Sequence, residues 1–457
     1  MHQKMYLKAL VLYLLTWIAA AAYQPRKQTK SGKGFGSSVI FPVSGNVYPQ
    51  GYYHVTINMG QPPKPYHLDI DTGSDLTWLQ CDAPCAKCTP APHDPYKPKG
   101  KVITCQDPLC TSLNGIGNHN CGGAHEQCDY EVDYADYGSS IGVLVKDSVP
   151  LELTNGTMVA PDIAFGCGYN QEVQDSTHLP YTDGVLGLGL GNLSILKQLS
   201  NMGSTRNVVG HCLSGQGGGY LFFGDDFLPD TGIVWRPISS QLLNRLPDLL
   251  FRKHYSLGLA DLHFGVQAAN NIMKGLEIVF DSGSTYTYFT SQAYNALVSR
   301  IKGDLKGKQL EVSVEDKSLP FCWKGAKLFK SVRDAVSYFK PLVLSFTNGK
   351  NVQFHMGPES YLIVTEKGNV CLGILNGGEV GLENMNVIGD ISLQDKLVIY
   401  DNEGHQIGWA PANCNSLPNT DREYGECLPY LANDGLLEDI SASFGLETRR
   451  CRNNQRQ

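Results

Sequence analysis

The feature that most limits how this chain can fold is an eight-residue pattern that occurs twice, 210 residues apart. The first copy is His67-Leu68-Asp69-Ile70-Asp71-Thr72-Gly73-Ser74, and the second is Glu277-Ile278-Val279-Phe280-Asp281-Ser282-Gly283-Ser284. Each reads as a strand running into Asp-(Thr/Ser)-Gly-Ser. Each is followed well downstream by an apolar pair and a glycine, Val185-Leu186-Gly187 and Val387-Ile388-Gly389. A repeat of this period indicates one lobe used twice, with one carboxylate per lobe. A carboxylate after an apolar strand must be hydrogen-bonded if it is buried. Gly73 and Gly283 let the backbone turn back towards it, and Thr72, Ser74, Ser282 and Ser284 supply hydroxyls. If the two loops meet at a two-fold axis, Asp71 and Asp281 are too close for both to ionise, and they share a proton. One site then holds a general base that can activate water and a general acid that can protonate a carbonyl oxygen. A lone Asp-Thr-Gly is ordinarily a turn in which Asp bonds its own backbone. Two copies in matching contexts argue for chemistry instead.

The rest of the chain reads as mostly β. Strand-like runs fall at 52–58, 66–70, 143–153, 159–166, 220–223, 233–235, 276–280, 342–346, 361–364, 370–375 and 396–400, with the pair at 143–166 joined at Asn155-Gly156. Helical spacing is confined to 193–201, 291–302 and 330–340, with Ser291 and Ser331 as expected N-caps of the last two. The 457 residues carry a net charge of −7. Residues 1–50 hold six cations and no acids, so the remainder stands at −13. Such an acidic body excludes nucleic acid as the expected partner, because phosphate recognition needs a basic surface.

The N-terminus points to export. Lys4 and Lys8 precede an apolar run, Ala9–Ala22, whose last residues are small. This is the layout of a secretory signal, with cleavage expected near Ala20–Ala22. At 14 residues the run is short for the ~20 that a membrane span needs. No stable span is expected after cleavage. Fourteen cysteines in an exported chain read as disulfides. The sequons Asn155-Gly-Thr and Asn192-Leu-Ser offer glycosylation sites.

With these motifs in hand, the chain resembles the pepsin-like aspartic proteases over about 47–415. The two Asp-(Thr/Ser)-Gly-Ser loops match that family's active-site motifs, and Trp78 lies seven residues after Asp71 as in the family. Tyr134, in Tyr134-Ala135-Asp136-Tyr137-Gly138-Ser139, falls where the family carries a flap tyrosine. Ala135 and Tyr137 depart from its glycine-rich flap, and Tyr137 is the alternative. Phe165-Gly166-Cys167-Gly168, Asp183 to Gly189, His211-Cys212-Leu213 and Cys371-Leu372-Gly373 resemble the atypical plant group that includes nucellin and nepenthesin. The resemblance implies a bilobal, mostly β fold with pseudo-two-fold related lobes and a central cleft. It also implies acid-pH endopeptidase activity on polypeptides, a monomer without cofactor, and an extracellular, apoplastic, vacuolar or endomembrane destination. Asp71 and Asp281 would be catalytic. Tyr134, Gly73, Gly283, Ser74 and Ser284 would border the substrate, with Thr72, Ser282 and Trp78 in support. Cys322 and Cys371 fall at the family's second-lobe disulfide, and Cys212 and Cys414 could join the first lobe to the last strand. The eight cysteines from Cys81 to Cys167 allow 105 pairings, and sequence alone does not choose among them.

These readings give a signal peptide at 1–22, a short basic propeptide or linker at 23–50, lobes at 51–236 and 237–415, and a tail at 416–457. The basic segment is expected to dock near the acidic cleft, and the tail to be dispensable. Two rivals remain. Cys81, Cys85 and Cys88 with His93, His119 and His125 have spacings that can hold zinc, although disulfides are the commoner use in an oxidising compartment. The other rival is a catalytically weak or inactive binding or inhibitor protein on the same fold. Both Asp residues, both Gly residues and all four hydroxyls are present, which favours an enzyme.

Overall fold

The computed structural model describes residues 38–84, 88–99, 101–113, 123, 125–134, 138–172, 181–239, 254–265, 271–347 and 352–416. Among these, the strands form sheets of thirteen, seven and four strands and one short two-stranded hairpin. The chain enters with β1 (Val39–Asn46), β2 (Tyr52–Met59) and β3 (Lys64–Asp71), paired antiparallel in sequence order. β1 lies inside the span assigned above to a propeptide or linker. Val39, Phe41 and Val43 are buried at every second residue, and β1 also pairs with Gly219–Phe223. That period-two alternation is the mark of a half-buried strand, so the lobe begins before residue 39.

The thirteen-stranded sheet draws on both halves of the sequence. Lys396–Asp401 pairs with Val208–Leu213, and Gln406–Pro411 continues to Val234–Pro237 at the edge. Cys212 and Cys414 are disulfide-bonded where these strands meet. The seven-stranded sheet belongs to the second half and is centred on the Tyr255–Phe264 and Asn271–Phe280 hairpin. One continuous apolar cluster, from Val39 to Trp409, joins the two.

Several local expectations are revised. The segment 330–340 forms two single turns of 3₁₀-helix, Val332–Asp334 and Val336–Tyr338. Ser331 caps the first, with Asp334 bonding back in a reciprocal box. Pro341 favours extended backbone at the residue before it, and the few residues left do not repay helix nucleation. The helix Ser291–Leu305 is capped at Thr290 rather than Ser291, whose hydroxyl instead donates to Asn376 Oδ1 at 2.8 Å. Asn155-Gly156 turns only the small Leu151–Glu152 and Met158–Val159 hairpin, while the long pairing is Ser139–Ser148 with Asp162–Glu172. The helix at 193–201 starts at Ile195, and a short helix at Pro108–Leu113 was not foreseen.

Candidate active site

Each carboxylate of the repeat ends a strand that lies beside a parallel partner. Asp71 closes β3 opposite Gly187 of Gly184–Gly187. Asp281 follows Asn271–Phe280, which runs parallel to Asn386–Ile388. The glycine after each apolar pair is a steric requirement, because the Asp loop crosses directly over it. A Cβ on Gly187 would sit 2.6 Å from the backbone of Asp75 and Leu76, and one on Gly389 would strike the carbonyls of Ser284 and Tyr286. The loops are clamped alike. Leu188 and Gly189 N–H donate to Asp71 O and Ser74 O, both at 2.7 Å, and Asp390 N–H donates to Ser284 O at 2.8 Å. Thr77 and Thr287, each six residues after its Asp, accept from Gly187 N–H (3.2 Å) and Gly389 N–H (3.3 Å). This second pair of symmetric hydroxyls was legible as a Thr at the same offset in both repeats, and it was missed.

The loops meet across the lobes. Thr72 N–H donates to Ser282 Oγ at 3.2 Å, and Ser282 N–H donates to Thr72 Oγ1 at 2.9 Å. Ser282 Oγ–H also donates to Ile70 O at 2.9 Å. Behind the link, the buried Tyr400 bonds Thr72 and lies 3.2 Å from His211 Nε2. Asp71 Oδ1 accepts from Gly73 N–H (2.7 Å) and Ser74 N–H (3.2 Å), and Ser74 Oγ–H donates to Oδ2. Asp281 Oδ1 accepts from Gly283 N–H and its Oδ2 from Ser284 Oγ–H, both at 2.9 Å. The carboxylates are close enough that each glycine lies against the other lobe's acid. A Cβ on Gly73 would lie 2.6 Å from Asp281 Oδ1, and one on Gly283 would clash with Asp71 Oδ1.

Burial, and then the charge of Asp281, push Asp71 up to about 7, against the downward pull of Ser74 and Gly73. A carboxyl poised there exchanges its proton near neutrality, as acid–base work requires. Two further acids lie in the same field. Asp69 and Asp390 are both held well above the ordinary carboxylate range, chiefly by burial and then by the neighbouring acids. Sequence reading passed over both.

Trp78 Nε1–H donates to Tyr134 Oη at 2.6 Å, and Tyr134 N–H donates to Gly138 O at 2.7 Å. Tyr134 therefore stands at the tip of the Asp129–Asp133 and Ser139–Ser148 hairpin, tied back to the wall beside the Asp71 loop. Tyr137 lies outside the described residues. Cys322 is bonded to Cys371, Cys81 to Cys167 and Cys110 to Cys128. Cys88 and Cys105 are also disulfide-bonded. With Cys81 and Cys88 oxidised, the zinc reading loses two of its three thiolate ligands. Cys85 and His119 lie outside the described residues. Asn155 and Asn192 are exposed.

Two family models cover most of the chain. The description "Xylanase inhibitor N-terminal" matches residues 53–225, and "Xylanase inhibitor C-terminal" matches 255–411. Among curated proteins, an aspartic proteinase of Oryza sativa subsp. japonica is 41% identical over 394 residues, covering 84% of this chain and 93% of the rice protein. Aspartic proteinase 36 of Arabidopsis thaliana is 31% identical, covering 80% of this chain and 75% of its own length. Among solved structures, Basic 7S globulin from soybean superposes with a TM-score of 0.61 at 18% identity, covering 84% of this chain and 98% of the globulin. Aspartic proteinase from Irpex lacteus does so with 0.58 at 16%, covering 84% and 100%. These structural likenesses carry the bilobal fold alone. The chain belongs to the pepsin-like aspartic endopeptidases, in their atypical plant group.

Proposed function

We propose that Asp71 and Asp281 are the catalytic dyad, and that the enzyme hydrolyses polypeptides with water as the nucleophile. The observation that carries this reading is the mutual approach of the two loops, with Gly283 against Asp71 and Gly73 against Asp281. The ionised member of the pair takes a proton from water as the oxygen attacks the peptide carbonyl. The protonated member gives its proton to the carbonyl oxygen, leaving a neutral tetrahedral intermediate. Proton transfer to the amine nitrogen then releases both products and restores the singly protonated pair. Ser74 and Ser284 hold the outer carboxyl oxygens, and the Thr72–Ser282 exchange fixes the distance between the acids. Tyr134 borders the substrate from above, positioned by Trp78. The alternative of a non-catalytic binding protein finds no support in a dyad that keeps every hydrogen-bonding partner.

The pair must lose one proton and keep the other, so the rate is bell-shaped in pH with its maximum on the acid side. The signal-like N-terminus and the disulfides support passage through the secretory pathway to an apoplastic or vacuolar site, with glycans at Asn155 and Asn192. No helix among the described residues is long and apolar enough to cross a membrane. The test is casein hydrolysis at acid pH by wild type, Asp71→Asn, Asp281→Asn and the double variant. Each single variant is expected to fold and to lose activity by about 10³-fold or more, with the double variant little worse, because the residues act as a unit. Near-normal hydrolysis by a folded single variant would overturn the proposal.

A further inference from the structure

We propose that Asp69 makes the cleft wall beside the dyad an acidic subsite, one that accepts a Lys or Arg side chain within two residues of the scissile bond. The inference rests on the dyad reading and adds a substrate preference to it.

The placement follows from β3. Tyr66, Leu68 and Ile70 are buried in the core, so His67, Asp69 and Asp71 share the opposite face. Two residues along a strand advance roughly 6.6 Å. That offset brings the Asp69 carboxyl within reach of a long side chain flanking the attacked carbonyl. Asp69 also faces the other lobe. Among its charged neighbours are Asp71 and Asp281, and the first charged neighbour of Asp390 is Asp69. Asp390 is 1% exposed, and its Oδ1 has no hydrogen-bond partner. It is therefore a second buried carboxyl within the electrostatic range of Asp69. Among the described residues, Asp69 has a backbone hydrogen bond at Ile70 but no cationic partner, and an opposite charge is what stabilises a desolvated carboxylate, so the site favours an incoming cation.

Among the described residues, no fixed cation fills that role. Neither acid has a basic group among the charges that act on it. Across β2, His54 pairs directly with Asp69, but burial and then His67 push it down to about 4. His67, two residues back on β3, is lowered by burial and by His93. His93 is committed to Asp183, with Nδ1 2.7 Å from Oδ2. Tyr52 feels Asp69 and directs its hydroxyl to Tyr181 O at 3.5 Å. On the far side, Val185 of the parallel strand adds no charge. The groups facing Asp69 are thus acids, a phenol and two histidines that burial pushes down, His54 to about 4. Burial and the charge of Asp71 hold Asp69 protonated at low pH, so its pull on a cation grows as pH rises.

The test uses the mature enzyme and paired fluorogenic peptides that differ only in Lys against norleucine at each of the two positions on either side of the cleaved bond. For wild type, the ratio of kcat/KM for Lys over norleucine is expected to reach about tenfold at one position, a modest charge-pair discrimination. It should rise between pH 3.5 and 6. In Asp69→Asn the ratio should fall to about one at every pH, and Asp69→Glu should keep part of it. A wild-type ratio of one at all positions, or an undiminished ratio in Asp69→Asn, would overturn the proposal. If Asp69→Asn does not fold, cleavage-site profiling of a wild-type digest decides the matter: no enrichment of Lys or Arg within two residues of the cuts refutes the subsite. A failed dyad looks different, because Asp71→Asn would then still cleave whatever the ratio.

Discussion

The Asp71 and Asp281 loops carry the same residues at the same offsets, yet they are not equally enclosed. Asp71 is 6% exposed and its carboxyl receives three donors. Asp281 is half-buried, and Ser284 N–H turns instead to the Asp281 carbonyl at 3.4 Å. Behind the first loop the residue after the buried glycine is Leu188, and behind the second it is Asp390. A duplicated sequence has thus become two acids in different environments. Desolvation favours the neutral form, so burial, together with the charge of Asp281, holds the enclosed Asp71 carboxyl above the ordinary carboxylate range. Near-symmetric hydrogen bonding is thus combined with asymmetric enclosure.

The sharpest way to break this comparison is to swap the glycines. A methyl at Gly73 meets the Asp281 carboxyl, which is only half-buried and held by two donors. A methyl at Gly283 meets Asp71, which is enclosed and held by three donors. Gly283→Ala is expected to lower kcat by about 10²-fold and Gly73→Ala by about tenfold, since small misplacements of reacting groups are costly. Steady-state kinetics on one peptide would check the order. Equal or reversed effects would mean that enclosure does not distinguish the two acids.

The next effect concerns the link between the loops. Ser282→Ala strands Thr72 N–H and Ile70 O, and Thr72→Val strands Ser282 N–H and leaves the Tyr400 hydroxyl with His211 alone. Each buried group left unpaired costs about 1–3 kcal/mol. Each variant is therefore expected to lose about 2–3 kcal/mol in urea unfolding, with the double variant losing less than the sum, because the two share a partner. Strict additivity would mean that the lobes are not coupled through this exchange.

Much of this was legible because it is written twice. The period of 210 residues, the two Asp-(Thr/Ser)-Gly-Ser loops and the apolar-apolar-glycine strands all follow from comparing one half of the chain with the other. What escaped was what the halves do not share. β1 has no marked counterpart, and it sat inside a basic stretch that drew attention to charge rather than to the alternation of Val39, Phe41 and Val43. A chain starting at residue 51 would therefore lack a core strand, so a test of whether the basic segment docks near the cleft should compare chains starting at 23 and 38. Asp69 was read only as part of a strand and Asp390 was not singled out, because only the fold brings them within range of each other. His211 and Tyr400 lie 189 residues apart and meet through strand pairing alone. The tail from 417 onwards, with Cys427 and Cys451, lies outside the described residues.

The smallest expected effect is on stability against pH, and it reads the enclosure of Asp71 without any substrate. A carboxyl whose folded pKa is raised, here to about 7, holds its proton better folded than unfolded. Its contribution is fully present below the ordinary unfolded value of about 3.9 and is lost as pH rises through 7. The buried histidines oppose it. His54 and His211, lowered to about 4 and about 3 by burial, are harder to protonate when folded, so their contribution fades as pH falls below about 6.5. Wild type should therefore be most stable between these limits. Asp71→Asn removes the loss on the neutral side only. Between about pH 4 and 7, wild type should lose stability that the variant keeps, while the two curves run parallel below about pH 4. Urea unfolding at these pH values measures the difference. Parallel curves for the two proteins would mean that Asp71 gives up its proton as readily as an exposed carboxyl, and the asymmetry between the loops would then have to arise from substrate rather than from burial.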